Sequence, residues 1–496
     1  MLLKRHQKLI MAVSLAGGFG LTAWPAGVYG QDETVSVDKG ENSASNEEAP
    51  PQQAEAYEGP TLLVQSTRAQ ISLISEGDRR LGLAPGGETD SNDLAVDIKP
   101  EWYWQLAPKW RAKLVLQGFA ATGVVDVTEE TGGSPTDGFL ALREAWVDYR
   151  GLSDYPGESL RFGRERLEEA TGLWWDDDIM LARWIFNTTL LQSTAGIAQK
   201  FSEMRTDQPR VLEPERDIAR FFAASRWQWR SGHYAGLLLT HAEGYGDQAV
   251  DYATRGEVAS ERDPSLTWIG LSADNGYFDW RANESWQYSA TLAAVTGSEQ
   301  SSISSSDSTG GFTRREQGVD GWAVDLGLRV QLAESPRWLV GGHWAMASGG
   351  GDAGSSNGFR QTGIESNRSR FTGSRSLVQR FGEAFQPEWR NLESATVYTS
   401  VNSANHWDAS LIYQRFWAND VNGVIESDLI EPARPLQSDD LGQALDLVVG
   451  YFGDRSPVWH AMDVRLRAGV FFPGDAYGSG ADSARHRVLL DFLKRF

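Results

Sequence analysis

The chain has 496 residues, 41% of them hydrophobic, with a formal net charge of -21, 20 Trp against 7 His, and no Cys. The absence of cysteine excludes disulfide staples and thiolate metal or nucleophile chemistry. No nucleic-acid partner is expected of so acidic a chain, and its length suffices for a large core or for several domains.

The first segment reads as an export signal. MLLKRHQK carries Lys4, Arg5 and Lys8, an apolar LIMAVSLAGGFGLTAW follows, and Val28, Tyr29 and Gly30 stand where a signal peptidase reads. Residues 1–30 are therefore expected to be removed. A retained membrane anchor is the alternative, but the apolar stretch is short and Gly-rich against the roughly 20 residues of a spanning helix. Residues 31–60 are acidic and rich in Pro, Gln and Ser, too polar to bury a core, and read as a flexible leader. The leader's -7 and the signal's +3 leave residues 61–496 at -17.

Beyond the signal no apolar run reaches about 18 residues, which excludes spanning helices. Period-two alternation recurs instead. In DLAVDIKPEWYWQL, Leu94, Val96, Ile98, Trp102 and Trp104 oppose Asp97, Lys99, Glu101 and Gln105. WRAKLVLQGFAATG sets Leu114 and Leu116 against Arg111, Lys113 and Gln117, and WAVDLGLRVQL sets Leu326, Leu328 and Val330 against Asp325, Arg329 and Gln331. Near the end, Val464, Leu466 and Val470 oppose Asp463, Arg465 and Arg467. Roughly 18 such segments of about ten residues recur across residues 61–496. Short links such as APKW (107–110) alternate with long polar stretches at 298–318 and 347–360. This asymmetry predicts an all-β fold: a transmembrane antiparallel β-barrel of about 18 strands, with short periplasmic turns and long extracellular loops.

A soluble β-sandwich or propeller would alternate similarly. The export signal, the Trp residues flanking the apolar face (Trp102, Trp104, Trp110) and the final VLLDFLKRF favour the barrel. In that last strand Val488, Leu490, Phe492 and Phe496 share one face, as a strand that must close on the first requires. The ionic faces then line a lumen. Inward candidates are Arg68, Gln70, Lys99, Arg111, Lys113, Lys200, Arg220, Arg226, Arg329, Arg465 and Arg467, with Asp97, Asp325, Asp446 and Asp463 among them. An excess of Arg and Lys on a water-filled wall attracts anions. The bland reading is that each Arg pairs with a neighbouring Asp to hold the interior together.

Several blocks resemble the alginate export outer-membrane proteins (the AlgE family): LREAWVDYRGLSDYPGESLRFGRERL (142–167), QKFSEMRTD (199–207), QTGIESNRSRFTGSRSLVQRFGEAF (361–385), FFPGDAYGSGADSARHR (471–487) and the C-terminal strand. The resemblance spans most of residues 61–496. It implies an eighteen-stranded channel in the outer membrane of a Gram-negative bacterium that exports alginate, a polymannuronate/guluronate, served by periplasmic assembly and secretion proteins. It also implies a monomer in outer-membrane lipid, without enzymatic activity and without cofactors. Carried onto matching positions, its charged constriction is Lys99, Arg143, Glu144, Arg166, Asp176, Asp207, Arg368 and Arg465, with Arg375 standing in where Leu377 replaces a family arginine and Arg68 where Gln70 replaces a basic residue. Arg68, Arg329 and Arg467 are further inward cations. The periplasmic loop of the family before the penultimate strand is shortened here to about 453–459. Alternation through LRFGRERL turns Arg161 inward and Arg166 outward, whereas the resemblance implies an inward Arg166; a bulge at Gly163 would reconcile the two.

The runner-up is an anion-selective porin for small uronates or other acidic nutrients. WWDDDI (174–179) groups carboxylates but lacks the spaced pattern of a calcium loop, and reads as a polar element near the pore mouth. SGGGD (348–352) lacks the GK[ST] of a phosphate loop and reads as part of a flexible outer loop. No nucleophile elbow or HExxH helix occurs, although an outer-membrane hydrolase could assemble its residues from separate strands.

Overall fold

The computed structural model describes residues 59–83, 90–127, 135–211, 215–245, 262–304, 312–350, 355–403, 406–423, 425–427, 429–430, 438–453, 462–478 and 480–496. The signal (1–30), the leader (31–60) up to residue 58 and the 453–459 turn after Gly453 lie outside these residues.

The alternating segments form eighteen long strands: β1 (Thr61–Gly77), β2 (Ser91–Ala107), β3 (Trp110–Val125), β4 (Thr136–Tyr149), β5 (Glu158–Glu168), β6 (Asp176–Asn187), β7 (Leu191–Gln199), β8 (Ile218–Arg230), β9 (His233–Gly244), β10 (Arg262–Asp274), β11 (Trp286–Ser304), β12 (Phe312–Glu334), β13 (Arg337–Ala347), β14 (Leu392–Ser403), β15 (Trp407–Ala418), β16 (Asp440–Tyr451), β17 (Met462–Pro473) and β18 (Arg485–Arg495). Each pairs antiparallel with its neighbours in sequence. β18 closes on β1 from Arg68 opposite Arg495 to Gly77 opposite His486. Closure leaves no edge, which matters because each unsatisfied backbone group in lipid costs several kcal/mol. The period-two pattern sets the faces. In β12, Leu326, Leu328 and Val330 are exposed on the outside while Asp325 and Arg329 are buried within. In β1, Ile71 and Leu73 face out and Gln70, Ser72 and Ile74 face in.

Connections at the rim that carries both termini include the tight turns at 231–232 and 335–336, whereas the chain leaves β7, β13 and β15 at the opposite rim. Two of the expected outer loops are something else. The polar stretch 298–318 continues the β11–β12 ladder, with Ser298 opposite Gly318 and Ser304 opposite Phe312. Backbone pairing needs no apolar side chains, so the hairpin grows past the apolar belt. The 347–360 stretch does not stay outside either. From Gly358 it opens an inward-folded segment, 358–391, whose Phe359, Phe371, Phe381, Phe385 and Trp389 are buried.

This segment supplies the core, which therefore sits in the lumen. Phe385 stacks on Phe471 of β17 at 4.3 Å and meets Phe416 of β15 edge-on at 5.0 Å. The wall makes room with glycine: a Cβ at Gly321 of β12 would come within 2.5 Å of the Phe359 backbone. Polar anchors fix the rest. The Ser376 backbone N–H and hydroxyl donate to Asp408 at 2.9 and 2.8 Å, and Asn402 donates to the Gly373 carbonyl at 2.9 Å. From the terminus-bearing rim the 275–285 turn folds in to meet it. The Tyr277 hydroxyl lies 3.0 Å from that of Tyr398, which donates to the Phe371 carbonyl.

The β5–β6 hairpin also departs from the wall. β4 pairs with β5 only from Tyr149 opposite Leu160 to Ala145 opposite Arg164. Beyond that residues 204–206 take the place of β5 beside β4, through an Ala141 to Arg205 bridge and backbone bonds from Thr206 N–H to the Leu140 carbonyl and from Leu142 N–H to the Met204 carbonyl. The hairpin tip reaches the far inner wall, where Trp174 lies so close to Gly270 of β10 that a Cβ there would approach its ring to 2.7 Å. Trp175 packs on Phe222 of β8.

Candidate functional site

Inward positions of β1 to β4 form one charged group. Arg68 donates to Asp97 at 3.2 Å, Lys99 stands 3.8 Å from the same carboxylate, and Gln117 donates to it at 2.5 Å. Lys113 lies 3.0 Å from Glu144 and 3.6 Å from Glu101, and Glu144 also accepts the Trp146 indole N–H at 2.9 Å. These side chains meet because β2 and β3 present their odd-numbered residues to the lumen and their registers are antiparallel.

A second group surrounds WWDDDI. Trp174 and Trp175 are buried, and each carboxylate of the run faces a cation. Arg166 donates from Nε to Asp176 at 2.7 Å, Arg368 approaches Asp176 at 3.7 Å, Lys200 pairs with Asp177, and Arg143 pairs with Asp178 at 2.5 Å. Arg166 does not arrive here through a bulge. The β5–β6 register runs without a shift from Glu158 opposite Phe186 to Glu168 opposite Asp176. Arg161 faces inward to Asp148 and Glu165 as alternation requires. Arg166 stays on the opposite face of the strand, and the departure of the whole hairpin from β4 brings that face against Arg368.

The third group belongs to the inward-folded segment. Arg368 and Ser369 pair with Gln379 and Val378. Between them Arg370 donates from Nε to the Arg375 carbonyl at 3.0 Å. The Arg375 guanidinium lies 4.0 Å above the ring of Phe452, next to the terminus-bearing rim, and Arg465 of β17 lies opposite Gly450 of β16. Burial pulls the Arg370 guanidinium below its ordinary value; Glu168 and Asp279 resist this, and the like charges of Arg465 and Arg375 add to it. Like charges held together in this way attract carboxylates and repel cations.

The remaining expected residues lie apart. Asp207 sits in the 200–217 connection, bonded to Arg205 at 2.7 Å and to Thr136, and Arg205 stacks over Phe139 at 4.1 Å. Arg467 is buried against Asp491 at 3.1 Å. Arg329 faces inward but is sealed, 1% exposed, beneath Tyr277 with Nε on Gln287 at 2.6 Å. Arg370 was not among the residues expected from the sequence. The density of Arg, Phe and Ser over 359–385 was its available signal, but without a strand period that density does not say which side chains face water.

The alginate export family matches residues 63–491. Alginate production protein AlgE of Pseudomonas aeruginosa is 39% identical over 454 residues, spanning 86% of this chain and 91% of its own. The protein of the same name from Pseudomonas syringae pv. tomato is 34% identical over 465 residues, spanning 85% and 92%. Among solved structures, the outer-membrane protein OpdK of Pseudomonas aeruginosa shares the fold at TM-score 0.52 and 10% identity, covering 87% of this chain and 98% of its own. OprE of the same organism does so at TM-score 0.53 and 10% identity, with the same coverage.

Proposed function

The chain belongs to the alginate export family, and from that premise we infer that it is an outer-membrane channel exporting alginate from a Gram-negative cell. One observation carries the reading. Inside a sealed barrel, Arg370 and Arg375 on the inward-folded segment converge with Arg465 of the wall, and Arg368 of the same segment faces Asp176. Alginate carries a carboxylate on every sugar, and guanidinium forks match carboxylates through paired N–H bonds.

The barrel acts as a passive, non-enzymatic conduit. Lys99, Arg143, Glu144, Arg166, Asp176, Asp207, Arg368, Arg375 and Arg465 are its charged path, with Arg68 supporting Lys99 through Asp97. Within the path acids alternate with cations, so the polymer meets several weak sites and is not trapped at one. Residues 1–30 direct export and are removed, 31–60 form a leader, and 61–496 form the barrel as a monomer in outer-membrane lipid. Periplasmic assembly and secretion proteins deliver the polymer to the terminus-bearing rim.

Deleting the gene is expected to shift uronic-acid polymer from the medium to the periplasm. Unchanged polymer in the medium would favour a porin for small uronates. In planar bilayers, Arg368→Glu and Arg465→Glu each reverse a charge on the path and should lower the anion preference measured as a reversal potential in a salt gradient. Unchanged selectivity in both variants would remove these residues from it.

A further inference from the structure

The lumen cations divide by what neutralises them. Arg143 has Asp178, Arg166 has Asp176, Arg161 has Asp148 and Glu165, Lys113 has Glu101 and Glu144, and Arg467 has Asp491. A cation already paired attracts a passing carboxylate weakly, because binding must compete with the resident acid. Arg329 lacks a carboxylate neighbour within ion-pair distance among the described residues, but Tyr277 and the Phe371 carbonyl seal it from water.

Arg370 differs from all of these. Its Nε is tied to the Arg375 carbonyl, and its terminal nitrogens have no hydrogen-bond partner among the described residues. The side chain is half-buried, hence reachable. The charges around it are Glu168, Arg465, Arg375 and Asp279. Glu168 is 68% exposed and already stands 3.6 Å from Arg166. Asp279 already accepts the Arg281 backbone N–H at 2.9 Å. Two cations and two engaged acids therefore surround a guanidinium with its outer edge unused.

We propose that Arg370 is the docking point for carboxylates of the passing polymer, with Arg465 and Arg375 as flanking charges. The proposal rests on the export reading above and assigns its specificity to one residue. The position is held in advance. The pairing of Arg368 with Gln379 closes the loop that carries Arg370, and Arg380 bonds Asp325 of β12 at its base. Pre-positioning removes the ordering cost of capture. The half-open surroundings keep it weak, as transit requires.

The test is single-channel recording of the purified full-length protein in planar bilayers, with a saturated mannuronate hexamer as blocker. Wild type is expected to show brief blocks, and Arg370→Gln to raise the hexamer concentration for half-block about tenfold, the loss of one charge-assisted pair of hydrogen bonds. Arg370→Lys keeps the charge but not the fork and should fall between. Arg368→Gln, which removes a guanidinium already facing Asp176, should shift block less than Arg370→Gln. Block of Arg370→Gln within twofold of wild type would overturn the proposal, as would a larger loss in Arg368→Gln. If wild type conducts chloride but the hexamer never blocks it, the export reading itself fails. Arg370 makes no strand pairing, so its variants retain the barrel, and heat-modifiable gel mobility verifies this.

Discussion

Asp176 shows how single residues set the field inside this barrel. Its carboxylate holds Arg166 at 2.7 Å and faces Arg368 at 3.7 Å, while its backbone N–H donates to the Ile364 carbonyl at 2.6 Å. One acid thus offsets two cations and ties the β5–β6 hairpin to the inward-folded segment. Asp176→Asn keeps the backbone bond and the side-chain shape but removes the charge. The expected result is a stronger anion preference, read as a larger reversal potential toward chloride in a salt gradient. Its cost is about 1–3 kcal/mol from weakened charge-assisted bonds. A potential equal to wild type would mean that Arg166 and Arg368 do not face the conducting path. The alternation of β2, β3 and β17 was enough to place Lys99, Lys113 and Arg465 inward. Arg166 was not readable in that way, because a hairpin that leaves the sheet keeps its own register and changes only what each face meets.

At the level of elements, the strands were legible and the segment between β13 and β14 was not, for one physical reason. A strand between lipid and a polar lumen must alternate, so Leu326, Leu328 and Val330 against Asp325 and Arg329 admit one orientation. Residues 359–389 fold without a regular period, and the wall accepts them at Gly321 and Gly469, which in sequence are only missing side chains. The family blocks at 361–385 flagged importance without giving location. The segment also carries a titration of its own. Burial pushes the Glu365 carboxyl up to about 8, with Glu388 and Glu215 adding to the rise against its backbone hydrogen bonds. Folding with a raised carboxyl binds a proton that the unfolded segment releases. The stabilisation is therefore complete in acid and is lost as the pH climbs through about 8. Hydrogen exchange over 361–391, corrected for intrinsic rate, should be faster at pH 9 than at pH 7 while β1 and β18 stay protected. Glu365→Gln should abolish the difference, and an equal difference in that variant would place the titration elsewhere.

The whole molecule separates what holds it together from what it does. Lipid-facing residues such as Ile71, Leu271 and Leu447, with the β1 to β18 closure, stabilise the cylinder from outside. Inside, the inward-folded segment meets both the 275–285 turn and the β5–β6 hairpin and with them occupies part of the lumen. The pairing of β13 with β14 runs from Arg337 opposite Asn402 to Met346 opposite Glu393 and uses nothing from the segment that links them. Replacing residues 361–385 with a short Gly/Ser linker should therefore leave a closed, heat-modifiable barrel, because water entering the lumen can solvate Asp325, Asp408 and Asp446 once their partners are gone. The same change removes Arg368, Arg370 and Arg375 and the aromatic packing on Phe416 and Phe471. Single-channel conductance should rise several-fold as the lumen widens, and anion preference should fall toward that of a wide aqueous pore. A variant that fails to fold would show that the segment is part of the barrel's stability. A variant with a wild-type current would show that the segment does not lie across the path of the ions.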